Sequence, residues 1–141
     1  SRAYAAIVWG VPLPTVGEIV GNIGRSMTNR KKMAVVPAAR GKPAVTRYRT
    51  QRAFGGHAAL IQCRLLTGRT HQIRVHMREA LQCAILGDPI YAQPNKQRVR
   101  VPRLMLHAWK LSFNHPIHDQ PLAFEAKVPV EFEPWLKSVQ N

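Results

Sequence analysis

Two runs of alternating side chains, separated by a pair of glycines, constrain the fold of this chain more than any other feature. In residues 44–52 arginines alternate with hydroxyl-bearing side chains, and residues 58–66 alternate with the same period of two. That period places successive side chains on opposite faces of a β-strand. Because Gly55-Gly56 lies between the runs and suits a tight turn, the sequence predicts a hairpin with one basic edge.

Further segments complete a sheet and supply one good helix. An apolar stripe that includes Ile73 and Met77 recurs at helical spacing. Residues 21–41 predict a basic loop or ribbon punctuated by glycines. Because the hairpins follow one another, the sequence predicts one α+β domain over residues 1–141, with a mixed, mostly antiparallel sheet and few helices. The predicted strands cover residues 4–9, 44–52, 58–66, 104–108, 110–113 and 122–128, and the predicted helices cover residues 71 to about 82 and 133–139.

The positive charge of the chain is concentrated in its first part. Residues 19–78 contain no acidic side chain but thirteen Lys and Arg residues, whereas the part from residue 79 onward is nearly balanced. The net charge is +14, with an isoelectric point near 11.1. Such an excess favours a polyanionic partner, nucleic acid first, because Lys and Arg neutralise phosphates. A solvated basic face without a partner remains the alternative.

The residues that would carry other chemistries are absent or badly spaced. His71 and His76 are five residues apart on the predicted helix and share no face, so we expect no zinc site. No phosphate-binding P-loop motif occurs. The only Asp residues, Asp88 and Asp119, lie in predicted turns, where a structural role is commoner than a catalytic one. No apolar run approaches the 18 residues that a membrane span requires.

The strongest local signal is the sequence TGRTHQIRVH at residues 67–76. A strand ends there, a glycine turn follows, and a helix begins among clustered cations, an arrangement that attracts anions. Arg74 has apolar neighbours on both sides, which predicts partial burial. Because a partly buried guanidinium without a counterion is costly, we expect Arg74 to pair with a carboxylate from elsewhere or with an RNA phosphate.

Residues 67–76 resemble the signature of the RluA/RluD-type RNA pseudouridine synthases. Four further blocks resemble the family in the same order, so the resemblance spans essentially the whole chain. Gln82-Cys83-Ala84 stands where the family usually has Gly-His-Pro. The nucleophilic Asp of the family lies in an H-R-L-D-x-x-T-S-G motif that nothing in these 141 residues matches. We therefore expect the C-terminal part of a catalytic domain. The four blocks are residues 2–10, 24–33 with 41–46, 86–91 and 103–116.

The resemblance implies an enzyme that converts uridine to pseudouridine in RNA, with large-subunit ribosomal RNA as the first candidate substrate and no cofactor or metal. It implies two catalytic residues: Arg74 would pair with the missing Asp, and Tyr4 would stack on the flipped uracil. Ile73 would pack under the base. The remaining substrate-binding residues would meet RNA phosphates. They are Arg69, His71, Arg25, Arg30, Lys31 and Lys32.

The resemblance also bears on the setting of the protein. We expect a monomer that binds RNA and does not bind a membrane. We also expect it to make no pseudouridine without the missing Asp. Cys63 and Cys83 lack CxxC spacing, which favours a reducing compartment, and we expect the cytoplasm. The alternative is a non-catalytic basic RNA-binding or ribosome-associated protein. A DNA-binding module has less support, because no recognition-helix pattern is evident.

Overall fold

A computed structural model describes residues 2–92, 103–114 and 121–125. These residues form eight β-strands, one α-helix and one short 3-10 helix. In chain order the elements are β1 (Arg2–Trp9), β2 (Val16–Val20), β3 (Ile23–Arg25), β4 (Met33–Val35), the 3-10 helix (Ala38–Arg40), β5 (Val45–Phe54), β6 (Ala58–Leu65), α1 (Gln72–Ala80), β7 (Leu106–Asn114) and β8 (Pro121–Glu125).

Six strands form one sheet in the order β2-β5-β6-β1-β7-β8, and every described pairing within it is antiparallel. The predicted hairpin is confirmed as β5 and β6, with Gly55 at a φ of 61° that glycine adopts without strain. Strand β1 lies at the centre and pairs with β6 and β7. The predicted α+β class is therefore confirmed.

The main core lies between this sheet and α1. Thr46 and Tyr48 of β5 are buried, whereas Arg47 and Arg49 are exposed, as the period of two predicts. Met77 of α1 is fully buried in the same cluster as Ile61 and Cys63 of β6. Burial of such side chains contributes roughly 1.5–3 kcal/mol each. The core therefore fixes α1 against one face of the sheet.

A two-stranded ribbon, β3 with β4, forms a second unit beside the sheet. Ile23 of the ribbon shares a small apolar cluster with Ala44, Val75 and Tyr91. Gly24 lies so close to the 3-10 helix that an added Cβ would collide with the carbonyl oxygen of Arg40. The predicted ribbon is confirmed, and its base is held too tightly for a larger residue at position 24.

Some boundaries differ from the prediction. Helix α1 is shorter than predicted: it follows His71 at φ 57° and ends before Leu81, and the next residue, Gln82, is in the left-handed region at φ 56°. Strand β2 was not predicted. Strand β7 runs without a break where two segments, 104–108 and 110–113, were expected. The end of the predicted strand 122–128 and the predicted helix 133–139 lie outside the described residues.

Candidate active site

The turn before α1 is held by one buried side chain, Gln72. Its amide Nε2 donates to the carbonyl of Val45 at 2.9 Å and to Thr46 Oγ1 at 3.0 Å. Its Oε1 accepts from Thr67 Oγ1 at 2.7 Å and from the Arg69 N–H at 2.9 Å. These four hydrogen bonds satisfy the amide donors and acceptor of a side chain that is only 2% exposed and therefore shielded from water. Gln72 therefore fixes the start of α1 relative to β5 and the 67–70 turn.

One turn further along α1, His76 is fully buried and continues this network. Its Nδ1 lies 2.8 Å from Thr46 Oγ1, and its Nε2 lies 3.0 Å from the carbonyl oxygen of Gly21. A neutral ring with the proton on Nε2 satisfies both contacts, since Thr46 can donate to Nδ1. Burial lowers the pKa of His76, and the Gly21 carbonyl and Glu79 only partly offset that effect. His76 is therefore a structural residue that ties α1 to the segment before the ribbon.

Arg74 projects from α1 into a bidentate ion pair with Asp88. Its Nε donates to Asp88 Oδ2 at 3.0 Å and its Nη2 to Oδ1 at 2.9 Å. The Arg74 side chain is 14% exposed and the Asp88 side chain 0%. Asp88 Oδ1 also accepts the backbone N–H groups of Ile90 at 2.9 Å and Tyr91 at 3.1 Å. This carboxylate is thus fully paired inside the protein, as a buried charge requires.

The two pKa values agree with this pairing. For Asp88, burial is the largest single influence and raises the pKa, but the hydrogen bonds from Arg74, Ile90 and Tyr91 outweigh it and hold the pKa below its usual value. The hydrogen bond to Asp88 raises the pKa of Arg74. Both groups are therefore charged at neutral pH, and the guanidinium is held in one orientation.

The expected kind of partner for Arg74 is present, although its identity was not predicted. A carboxylate from elsewhere or an RNA phosphate was expected, and the structure supplies a carboxylate, that of Asp88, 14 residues further along the chain. The turn expected at Asp88 is present, since its carboxylate caps the next backbone amides. The ion pair was missed, although one signal pointed to it. Asp88 is the only acidic residue between Glu79 and Asp119, and it stands among apolar neighbours.

Tyr91 joins Arg74 to the ribbon. Its ring lies 5.2 Å from the Arg74 guanidinium carbon, within cation–π distance. Its hydroxyl accepts the Met33 N–H of β4 at 2.9 Å and lies 2.8 Å from His71 Nδ1. Burial, followed by the charge of Arg74, lowers the pKa of His71. A neutral His71 ring can therefore accept a hydrogen bond from the Tyr91 hydroxyl. The predicted RNA contact His71 is therefore engaged inside the protein through Nδ1.

Tyr4 and Ile73 lie at the main core cluster. Tyr4 is partly buried, sits opposite Cys63 of β6, and packs against this cluster. The pairing of β1 with β7 shifts register between Ala3 and Tyr4, and such bulges often re-aim a side chain beside an active site. Ile73 belongs to the same cluster and is 4% exposed. The structure thus places both predicted residues on the side of the sheet that α1 covers.

Arg25 and Arg69 line one open cleft of about 540 Å³ between the ribbon and the 67–70 turn. Arg40 and Lys42 line it as well, and the sequence had not singled out either of them. Arg69 is oriented by a 2.8 Å bond from its Nε to the carbonyl oxygen of Pro43. We call this cleft the ribbon cleft, and no carboxylate from the part of the chain that the structure describes lines it. Its charge suits a phosphate-bearing ligand.

The loop between β3 and β4 carries Arg30, Lys31 and Lys32. These residues are distant from Arg74 in the sequence. Ser26 Oγ accepts the N–H groups of Thr28 and Asn29 at 3.3 and 3.2 Å. Asn29 Oδ1 accepts the Lys31 N–H at 2.9 Å. The loop is therefore shaped by its own hydrogen bonds, and Arg30 and Lys31 remain exposed on it.

Two properties of residues 2–92, 103–114 and 121–125 bear on membrane and metal binding. No helix there is long and apolar enough to cross a bilayer. No group of three or more His, Cys, Asp or Glu side chains there could hold a metal ion.

Comparison with known proteins identifies relatives of one kind. The family described as RNA pseudouridylate synthase matches residues 1–79. Ribosomal large subunit pseudouridine synthase D of Zymomonas mobilis subsp. mobilis is 42% identical over 139 residues, which cover 94% of this chain and 43% of that protein. The protein of the same name from Neisseria meningitidis serogroup A is 44% identical over 137 residues, covering 91% of this chain and 36% of that protein.

Solved structures agree with the sequence relatives. The structure of human RNA Pseudouridylate Synthase Domain Containing 4 superposes with a TM-score of 0.78 at 28% identity, over 99% of this chain and 62% of that one. Human RNA Pseudouridylate Synthase Domain Containing 1 gives a TM-score of 0.77 at 29% identity, over 96% of this chain and 56% of that one. The chain thus spans less than half of the two sequence relatives.

Proposed function

The chain belongs to the RNA pseudouridylate synthase family, and we propose that it supplies the arginine side of the active site of an enzyme that converts uridine to pseudouridine in ribosomal RNA. The observation that carries this proposal is the Arg74–Asp88 pair, which holds a guanidinium in one orientation at the start of a buried helix. A basic RNA-binding protein without catalytic function would need exposed cations, but it would not need this buried pair.

The pair leaves part of the guanidinium available. Asp88 occupies Nε and Nη2 of Arg74, and within the described residues Nη1 has no hydrogen-bond partner. We propose that Nη1 receives the nucleophilic Asp of the family motif, from residues other than these 141. The two backbone N–H groups on Asp88 share its negative charge, so Arg74 keeps some attraction for a second carboxylate. That contact would keep the nucleophile ionised and aimed at the ribose.

Tyr4 and Ile73 would hold the base, as the family resemblance implies. The uridine must leave its stack at a cost of a few kcal/mol before it can react. Stacking of the uracil on Tyr4 would offset part of that cost. In the isomerisation the bond from C1′ to N1 breaks, a bond from C1′ to C5 forms, the C5 proton leaves, and N1 gains a proton. The reaction is balanced without a cofactor.

The ribbon cleft and the 25–32 loop would grip the RNA backbone. Arg25 and Arg69 in the cleft, with Arg30 and Lys31 on the loop, would contact phosphates and so contribute affinity more than sequence choice. The names of the relatives support large-subunit ribosomal RNA as the substrate. We also propose a monomer that acts in the cytoplasm, where the free Cys63 and Cys83 thiols would stay reduced.

The test joins these 141 residues to the part of the Zymomonas mobilis relative that lies outside the 139 matched residues, and measures pseudouridine in a ribosomal RNA fragment. We expect product from the fusion and none from the 141 residues alone. Arg74→Lys in the fusion should remove most of the activity, because lysine keeps the charge but cannot make the bidentate contact. RNA affinity should change by less than about twofold, since Arg74 is not among the phosphate-binding cations.

Arg78→Ala, one turn further along α1, is the matched control and should keep near-parental activity. Thermal unfolding of each variant shows whether a loss of activity is only a loss of fold. Near-normal product from Arg74→Lys and Arg74→Ala fusions would contradict the role of Arg74. Product from the 141 residues alone would contradict the shared active site.

A further inference from the structure

A second basic cavity lies on the opposite face of the sheet from α1. Thr46 points towards α1, because it contacts both Gln72 and His76. Since side chains alternate along a strand, Arg47 and Arg49 point away from α1. Arg64 of β6 lies directly opposite Arg47 and therefore shares that outer face. Together these residues line a cavity of about 670 Å³, which we call the outer groove.

The charges in the outer groove are poorly compensated. Arg47 and Arg64 are cross-strand partners, and like charges in that arrangement repel each other. Of the described residues, Glu18 of β2 is the one carboxylate that lines the groove, and it pairs with Arg47 Nε at 2.9 Å. Among the described residues, Arg49 and Arg64 have no ion-pair partner. The groove thus concentrates three guanidinium groups around one carboxylate, which favours an added anion.

The shape of the groove also suits a ligand. Its volume of about 670 Å³ falls in the range of roughly 300–1,000 Å³ that is typical of ligand sites. Gln62, opposite Arg49, accepts a hydrogen bond from Gln51 Nε2 at 3.1 Å through its Oε1, and its own Nε2 can donate to a phosphate. The Glu18–Arg47 pair is exposed on both sides, so a stronger anion can displace it at little cost.

We propose that the outer groove binds the phosphodiester backbone of a second segment of the RNA, so that RNA contacts both faces of the sheet. This proposal rests on the proposed function, because it takes RNA as the ligand. The guanidinium fork matches phosphate oxygens in geometry. All three arginines belong to the acid-free stretch that also supplies the ribbon cleft, so a single polyanion satisfies both surfaces.

The experiment measures the affinity of the 141-residue chain for a single-stranded ribosomal RNA fragment between about 50 and 200 mM salt. Each phosphate contact on a single strand contributes about 0.7 to the slope of log affinity against log salt. The variant Arg49→Gln/Arg64→Gln should therefore lower the slope by about 1.4. Glu18→Gln should raise affinity, because it frees Arg47. Arg78→Gln removes one charge outside the groove and should leave the slope unchanged.

A further variant, Arg25→Gln/Arg69→Gln, tests the ribbon cleft in the same assay and separates the two proposals. A lower slope for this variant, with a parental slope for Arg49→Gln/Arg64→Gln, would overturn the outer groove and leave the proposed function standing. Parental slopes for both double variants would count against RNA binding at either surface. Thermal unfolding confirms that the variants are folded.

An acidic protein is the other class of ligand that the outer groove could bind. Polyglutamate serves as the probe for it. Tighter binding of polyglutamate than of RNA, lost in Arg49→Gln/Arg64→Gln while the RNA slope is unchanged, would assign the groove to a protein partner and overturn the proposal. Weaker binding of polyglutamate, with the RNA slope lowered, supports it.

Discussion

Arg74 and the cations of the 25–32 loop differ in what surrounds them. Arg74 is 14% exposed and faces a buried carboxylate that backbone amides also hold. Arg25 is exposed, and its Nη1 donates to the backbone carbonyl oxygen of Arg30 at 3.2 Å. Within the described residues no carboxylate lies at ion-pair distance from the loop cations. The first environment fixes the position of a charge. The second leaves the charge uncompensated and therefore available to a ligand.

The difference shows how one basic stretch can serve two purposes. A compensated, buried cation contributes little to long-range attraction, but it orients whatever it contacts. Exposed, uncompensated cations attract a polyanion and lose that attraction as salt rises. Substitutions in the two regions should therefore change different measured quantities: stability and turnover in the first, and salt-dependent affinity in the second.

The largest effect is expected from Asp88→Asn. It leaves the Arg74 guanidinium buried with a neutral partner, and loss of one member of a buried pair costs about 3–5 kcal/mol. The free energy of unfolding from urea titration is the measurement. Glu18→Gln breaks the exposed pair with Arg47 and serves as the control, with an expected loss of at most about 1 kcal/mol. Equal losses for the two variants would remove the distinction between a buried and an exposed cation.

A smaller effect is expected from Tyr91→Phe, which cuts the connection between the two regions. The ring stays beside Arg74, but the Met33 N–H and His71 lose the hydroxyl. Leaving a partly buried donor unpaired costs about 1–3 kcal/mol. Hydrogen exchange should speed up at the Met33 amide and change little at the Ile90 and Tyr91 amides that Asp88 holds. Unchanged exchange at Met33 would show that the hydroxyl does not hold the ribbon.

The smallest effect is a dependence of stability on pH that arises from His76. Burial lowers its pKa below the ordinary 6.5, so the unfolded chain takes up a proton that the folded chain resists. The stability it contributes is full above pH 6.5 and is lost as the pH falls through the pKa of the folded state. The urea midpoint should fall between about pH 7.5 and 5, and His76→Gln should flatten that fall.

His71 adds a second contribution of the same sign, because its pKa is also lowered by burial and by Arg74. His71→Gln is therefore the matched variant for the pH series. Asp88 titrates below its usual 3.8 and acts only in stronger acid. If the urea midpoint depends equally steeply on pH in the parent and in both His variants, these two residues are excluded as the source of the pH dependence.

Much of the fold follows from local patterns in the sequence. The period of two and Gly55-Gly56 are enough for the β5–β6 hairpin, and the apolar stripe locates α1. The edge strand β2 escaped prediction because its five residues include Gly17 and Glu18 and bury only Ile19 fully. Its pairing with β5 holds it in an extended conformation that its own sequence does not indicate.

Motifs in the sequence were enough to propose residues for the candidate site, but not to predict their contacts. Arg74, Tyr4 and the loop cations were identified from motifs. The partners of Gln72 lie up to 27 residues away, and Asp88 is 14 residues from Arg74. Such pairings depend on how β5, α1 and the segment after α1 pack together, which no local pattern encodes.

The loop between β3 and β4 is held by its own hydrogen bonds, so its sequence can be changed with little effect on the rest of the fold. Ser26 and Asn29 fold it internally, while Gly24 and the Met33 amide anchor its two ends to the body of the protein. Another loop grafted between those anchors would inherit the scaffold unaltered. Substitutions confined to this loop should therefore change how tightly the surface holds a polyanion, while the Arg74–Asp88 pair keeps its geometry.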